Sequence, residues 1–241
     1  IGTAELRPGY ATLTADDGSY VSWVEATDSG QVDFVVYDTA DRQEVGREAD
    51  PQAPLGGKPA AFGLPVVEAL DDGTAYWHRS DGTVAYDIET EETSMLQKGA
   101  SPQWLKDVAG GVYARSSFDD VAIVVGPSLS DESPTVPGYS PEAVLSPGGS
   151  LLASYENDTL KVTDFALGAE VTPVLEGGAL GAVVQWIDDE TLVAFTWTAA
   201  DDSALVDLVE CNVSTGACET TAAHAGVAGS VVFPDGRQVN D

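Results

Sequence analysis

Positive charge is what this chain has least of: ten Lys and Arg stand against 40 Asp and Glu, for a net charge of −30. Only Lys58, Lys98, Lys106 and Lys161 are lysines. Recognition of a phosphate backbone needs clustered basic side chains that release counterions, so nucleic acid is excluded as a partner and anionic lipid headgroups are repelled. Cations, basic proteins and neutral ligands remain. A second reading of the same acid is a solubility device that works where salt screens self-repulsion over about 8 Å or less.

Long apolar runs are missing as well. None approaches the roughly 20 residues that span a bilayer as a helix, so direct membrane insertion is not expected. The sequence starts at Ile1. The expectation is an upstream segment removed, which suits both a secreted chain and the exported part of a longer membrane-anchored one. Histidine is limited to His78 and His224, and no Gly-x-Ser-x-Gly elbow, His-Glu-x-x-His, phosphate loop or cysteine beside a histidine is present. The chain is therefore expected not to be an enzyme. The alternative is a hydrolase or lyase, Ca2+-dependent or metal-independent, with its site at a channel mouth, because paired carboxylates can cleave glycosides.

Cysteine is nearly absent too, but the two present are informative. Cys211 and Cys218 flank Asn-Val-Ser-Thr-Gly-Ala, turn formers between two β-prone arms. Such a hairpin sets the sulfurs on facing strands, where they form a disulfide. A loop this short contributes about 2.5 kcal/mol in the chain-entropy account, enough to staple an outer hairpin. A disulfide places the chain in an oxidising, extracytoplasmic compartment, secreted or surface-exposed. The two histidines have no spacing that would complete a zinc site with these cysteines.

What the chain does have is a repeat. Thr12-Leu-Thr-Ala-Asp-Asp-Gly-Ser-Tyr-Val-Ser-Trp23, Glu68-Ala-Leu-Asp-Asp-Gly-Thr-Ala-Tyr-Trp77 and Ala143-Val-Leu-Ser-Pro-Gly-Gly-Ser-Leu-Leu-Ala153 share a strand-turn-strand shape, with weaker copies at 108–114, 184–194 and 231–239. The last turn residues, Gly18, Gly73, Gly111, Gly149, Glu190 and Gly236, are 55, 38, 38, 41 and 46 residues apart. A period near 40 is that of a four-stranded propeller blade. The long first interval holds the Pro/Gly-rich stretch 50–59, read as an inserted surface loop. A third strand recurs at Phe34–Asp38, Val84–Asp87, Leu160–Asp164 and Leu208–Cys211, followed by a short polar hairpin. Unbroken apolar runs such as Val121–Val125 and Leu192–Trp197 suit strands covered on both faces.

The expected fold is all-β: a single β-propeller domain over residues 1–241, of four-stranded antiparallel blades. Six blades are expected, the last reduced and supplied by residues 224–241 with Gly2–Leu6 fastening the ends; five blades is the alternative, and a β-sandwich pair or barrel the rival architecture. The turns at Leu145-Ser-Pro-Gly-Gly-Ser150 and Phe233-Pro-Asp-Gly236 resemble the degenerate Ser-Pro-Asp-Gly turns of bacterial TolB-like and WD40-like propellers, although the Gly-His and Trp-Asp dipeptides of WD40 repeats are absent. The resemblance covers roughly residues 10 to 239. It implies architecture more than activity, since propellers host both binding proteins and hydrolases.

In such a blade the second-to-third connections open on one rim. Here each carries an acid, placing Asp28, Asp81, Asp119, Asp120, Glu156, Asp158, Asp201 and Asp202 together, with Trp104 and Tyr139 arriving from interblade links. This rim is expected to bind a basic protein, a cationic ligand or Ca2+, which favours several carboxylate oxygens. No other cofactor is expected, and the chain is expected to act as a monomer. Turn propensity alone also favours Asp at these positions, and the opposite rim is acidic through Asp16, Asp17, Asp71, Asp72, Asp188, Asp189 and Asp235. The tryptophans at 23, 77, 186 and 197 read as packing residues.

Overall fold

The computed structural model describes residues 12–14, 18–26, 31–51, 65–99, 103–117, 122–130, 135–137, 143–156, 159–176, 180–181, 183–200 and 203–227. Among them no helix occurs, and the strands form five successive sheets. The chain divides into two compact units, with the boundary after Pro102.

The first unit holds two sheets. One is β1 (Thr12–Thr14), β2 (Tyr20–Ala26), β3 (Val32–Asp38) and β4 (Gln43–Ala49). The other is β5 (Val66–Asp71), β6 (Thr74–Arg79), β7 (Gly82–Asp87) and β8 (Glu92–Lys98). Each is an antiparallel meander in chain order. Phe34, Val36 and Val24 pack on Trp77, Val84 and Tyr86 to make one core. Trp77 is sandwiched, its ring centroid 5.1 Å from that of Phe34 and 4.9 Å from that of Tyr86, both stacked. Each ring removes about 150–250 Å² from water, roughly 4–6 kcal/mol before entropy is counted. The indole N–H donates to Ser22 Oγ at 3.1 Å, and that hydroxyl donates to the Val35 carbonyl at 2.9 Å, so no polar atom of the ring is stranded. Phe34, Val35 and Val36 are all fully buried although they alternate in direction along β3, the burial that a continuous apolar run requires.

The second unit holds three sheets. The third comprises β9 (Gln103–Ala109), β10 (Val112–Ser117), β11 (Ala122–Gly126) and β12 (Thr135–Pro137). The fourth comprises β13 (Val144–Leu145), β14 (Leu151–Glu156), β15 (Thr159–Asp164) and β16 (Ala169–Val171). The fifth has β17 (Val174–Leu175), β18 (Val183–Trp186), β19 (Thr191–Ala200), β20 (Ser203–Asn212) and β21 (Ala217–Val227). Its order is β17-β21-β20-β19-β18, because the incoming β17 pairs parallel with the outermost strand, Val174 opposite Ala217. Ile123, Leu145 and Leu152 belong to one apolar cluster, and Val162, Trp186, Leu192, Val209 and Cys211 to another. Polar bonds tie the sheets: Asp107 accepts from Leu145 N at 2.7 Å, Trp186 Nε1 donates to the Val144 carbonyl at 3.2 Å, and Asp189 accepts from Gly148 N at 2.7 Å.

Two turn designs recur. Gly18, Gly73, Gly111 and Gly149, the residues that set the repeat phase, all have left-handed φ between 69° and 76°, where a Cβ is penalised. The outer hairpin is the second design. Asp38, Asp87, Asp164 and Asn212 each accept, through Oδ1, the N–H three residues on, at 2.8–3.0 Å. The next residue, Arg42, Glu91, Gly168 or Gly216, then takes φ between 56° and 72°. This side-chain-capped turn followed by one left-handed residue makes a four-residue hairpin loop, closed by the pairs Asp38–Gln43, Asp87–Glu92, Asp164–Ala169 and Asn212–Ala217.

Cys211 and Cys218 are directly opposed across β20 and β21 and are joined by a disulfide. Cys211 is fully buried in the apolar cluster of the second unit, so the bridge anchors its hairpin to the core instead of fastening an outer edge alone. Four of the residues assigned from sequence to a sixth blade, 224–227, instead end β21 of the fifth sheet. The rest of that segment, and Gly2–Leu6, lie outside the described residues. Asp50, read as the start of a surface loop, is buried, and its carboxylate accepts both the amide (2.8 Å) and the hydroxyl of Ser80.

Candidate binding surface

The five second-to-third connections fall where the repeat predicts, between β2 and β3, β6 and β7, β10 and β11, β14 and β15, and β19 and β20. Of the acids read onto them, Asp81 is described in full. Glu156 closes β14, opposite Thr159. Asp28, Asp119, Asp120, Asp158, Asp201, Asp202 and Tyr139 lie outside the described residues. Trp104 is a strand residue, the second of β9 and opposite Ser116, not part of a link.

Asp81 already has a cation. Arg79 donates from Nε to one carboxylate oxygen and from Nη2 to the other, both at 2.9 Å, while Nη1 bonds Glu48 of the neighbouring sheet. Arg79 is only 9% exposed, so this fork is partly desolvated and stronger than a surface pair. Two carboxylates thus bond one guanidinium, and a third, that of Asp50, holds Ser80 in the same turn. An arriving cation competes with Arg79 for Asp81.

A second knot of charge crosses the first sheet. Glu25 on β2 and Asp33 on β3 are directly opposed, an arrangement that repels. Arg47 on β4 resolves it: Nη1 bonds Glu25 and also Asp33 (3.0 Å), and Nε and Nη2 each reach Glu44 at 2.8 Å. The Arg47 bond holds the Glu44 carboxyl below the usual range.

Between β4 and the β7–β8 hairpin lies a groove of about 450 Å³, lined by Glu44, Gly46, Glu48, Tyr86, Glu91 and Thr93 among others. Tyr86 forms its floor. A Cβ at position 46 would sit 2.5 Å from the tyrosine Cε1, so only glycine lets the ring edge in. Burial first, then the charges of Glu91, Glu48 and Asp87, pushes the Tyr86 phenol up, so its hydroxyl stays a donor. Thr93 Oγ1 bonds the second oxygen of Glu48. None of these groove residues stood out in the sequence. The period-2 placement of Gly46 and Glu48 was a usable signal, but the bulge at β4, between the pairs Val36–Gly46 and Tyr37–Glu44, obscures it. Among the described residues no group of three or more His, Cys, Asp or Glu is arranged to hold a metal ion.

No protein-family model matches this sequence, and no curated protein sequence matches it. Solved structures match in fold. A chain in the crystal structure of a mitotic checkpoint complex has a TM-score of 0.52 at 17% identity, over 97% of this chain and 74% of that one. TolB from Acinetobacter baumannii has a TM-score of 0.48 at 10% identity, over 87% of this chain and 55% of TolB. U3-55K has 0.48 at 14%, over 89% and 64%. These neighbours are propellers of the WD40 and TolB types, and the likeness to the first of them shows that this chain has a propeller-like fold.

Proposed function

We propose that the chain is a non-catalytic, extracytoplasmic binding scaffold, with all of residues 1–241 in one propeller, that takes a basic protein or cationic ligand on its acidic second-to-third turns. One observation carries this reading: all five such turns hold at least one acid in a chain of net charge −30. Low-dielectric walls with one sign of charge focus potential and speed the arrival of a cationic partner. The Cys211–Cys218 disulfide supports an oxidising compartment. Calorimetry with Ca2+ and, separately, with a lysine-rich peptide at about 150 mM salt tests the reading. Saturable binding of either probe that falls when Asp28, Asp119, Asp120, Asp201 and Asp202 become Asn, and falls less when Asp16, Asp17, Asp71 and Asp72 do, supports it. Equal losses from the two sets, or no binding of either probe, overturn it.

A further inference from the structure

The outermost strand of the fifth sheet is anchored at one end and weakly held along the rest. β21 is the longest described strand, 11 residues, and none of its side chains is buried. At its start Cys218 is bonded to Cys211 and packs on the apolar cluster, and Ala217 and Cys218 also pair with β17. Beyond Cys218 its strand partner among the described residues is β20. That ladder begins badly. Its first pair past the bridge sets Glu210 directly opposite Glu219, and neither carboxylate has a hydrogen bond or ion pair among the described residues. Opposed like charges repel. Glu25 and Asp33 face each other in the same way in the first sheet, but there Arg47 bonds both. The β20–β21 ladder then slips twice, between Leu208 and Val209 and between Val206 and Leu208. In the second slip His224 takes a left-handed φ of 55°, and its N–H donates to the Asp207 side chain.

Ionic strength decides how much the opposed pair matters. Its Cβ atoms lie about 5 Å apart, whereas screening acts over about 30 Å at 10 mM salt and about 3 Å at 1 M. The repulsion is therefore felt in dilute salt and quenched in concentrated salt, and the field of a chain of net charge −30 adds to it. We propose that residues 219–227 are an ionic-strength-gated strap, hinged at the Cys211–Cys218 bridge. It lies on β20 in high salt and opens locally in low salt, freeing the edge of β20 while the other sheets stay folded. This rests on the strand pairing and not on what the acidic turns bind.

Amide hydrogen exchange of the full, oxidised chain at 10 mM and 1 M NaCl tests it, each rate divided by that of a matching unstructured peptide at the same salt. Protection at Thr220–Val227 is expected to fall by about two- to fivefold in the dilute salt, the effect of one like-charged pair, while the amides of β19 keep theirs. Glu219→Gln removes the repulsion and should leave the strap nearly insensitive to salt. Glu219→Lys sets opposite charges across the pair, so its protection should be greater at 10 mM than at 1 M, the reverse of the parent chain. Protection of the strap that ignores salt would overturn the proposal. So would an equal loss in β19, which would mean global unfolding, or a Glu219→Lys variant that responds in the parent's direction.

Discussion

Gly73, Gly111 and Gly149 are equivalent in the repeat, with left-handed φ of 74°, 76° and 69°, yet their surroundings differ. A Cβ added at Gly73 or Gly111 meets nothing within 4 Å. The same atom at Gly149 would lie 2.3 Å from the Ala109 carbonyl oxygen and 3.0 Å from Val112 Cγ2. Alanine at either of the first two positions therefore pays only for the left-handed conformation, about 1–2 kcal/mol, less what the stiffer unfolded chain returns. Alanine at Gly149 pays that and must also push a backbone carbonyl aside, an overpacking cost of about 1–3 kcal/mol. The expectation is a loss of about 1 kcal/mol for Gly73→Ala and Gly111→Ala and about 2–4 kcal/mol for Gly149→Ala. Urea unfolding followed by tryptophan fluorescence and circular dichroism measures all three, with the slope checked so that a changed denatured state is not mistaken for lost stability. Equal losses at the three positions would refute the turn-on-turn packing that sets Gly149 against Ala109.

Three further outcomes follow from the described contacts. Ser22→Ala removes the acceptor of the buried Trp77 indole N–H and should cost about 1–3 kcal/mol in the same unfolding assay. Reducing the disulfide, or replacing both Cys211 and Cys218 with Ala, should lower stability by about 2.5 kcal/mol from loop entropy, more for the pair of alanines because Cys211 is buried. The depressed Glu44 carboxyl contributes stability that is whole above the ordinary glutamate range, near pH 4.3, and is lost as pH falls through the lower folded value. Glu44→Gln should thus flatten the acid limb of stability against pH below about 4, and high salt should shrink the difference between the two proteins.

The sheets were legible because each depends on a local pattern: a glycine that must be left-handed, an apolar run on either side, a polar hairpin after the third strand. Gly18, Gly73, Gly111 and Gly149 marked the phase correctly, and the third strands lie inside β3, β7, β15 and β20. The outer side-chain-capped hairpins were seen only as polar turns, although Asp38, Asp87, Asp164 and Asn212 occupy the same position in four sheets. The parallel pairing of β17 with β21 was invisible, since it joins a link to a strand more than 40 residues away and leaves no periodic trace. Acidic turns were found by connectivity alone. That Asp81 is engaged by Arg79, and Arg79 by Glu48, depends on two sheets meeting, and the groove likewise depends on Gly46 lying under Tyr86. Packing between sheets sets these contacts, and short-range sequence patterns carry no record of it.

A crystal structure of the chain tests the central claim most directly. The account predicts five successive sheets built on antiparallel meanders, the fifth with β17 added in parallel to its outermost strand, with left-handed φ at Gly18, Gly73, Gly111 and Gly149 and Cys211 bonded to Cys218 across one hairpin. Helices between the strands, or sheets built from parallel crossovers, would contradict it.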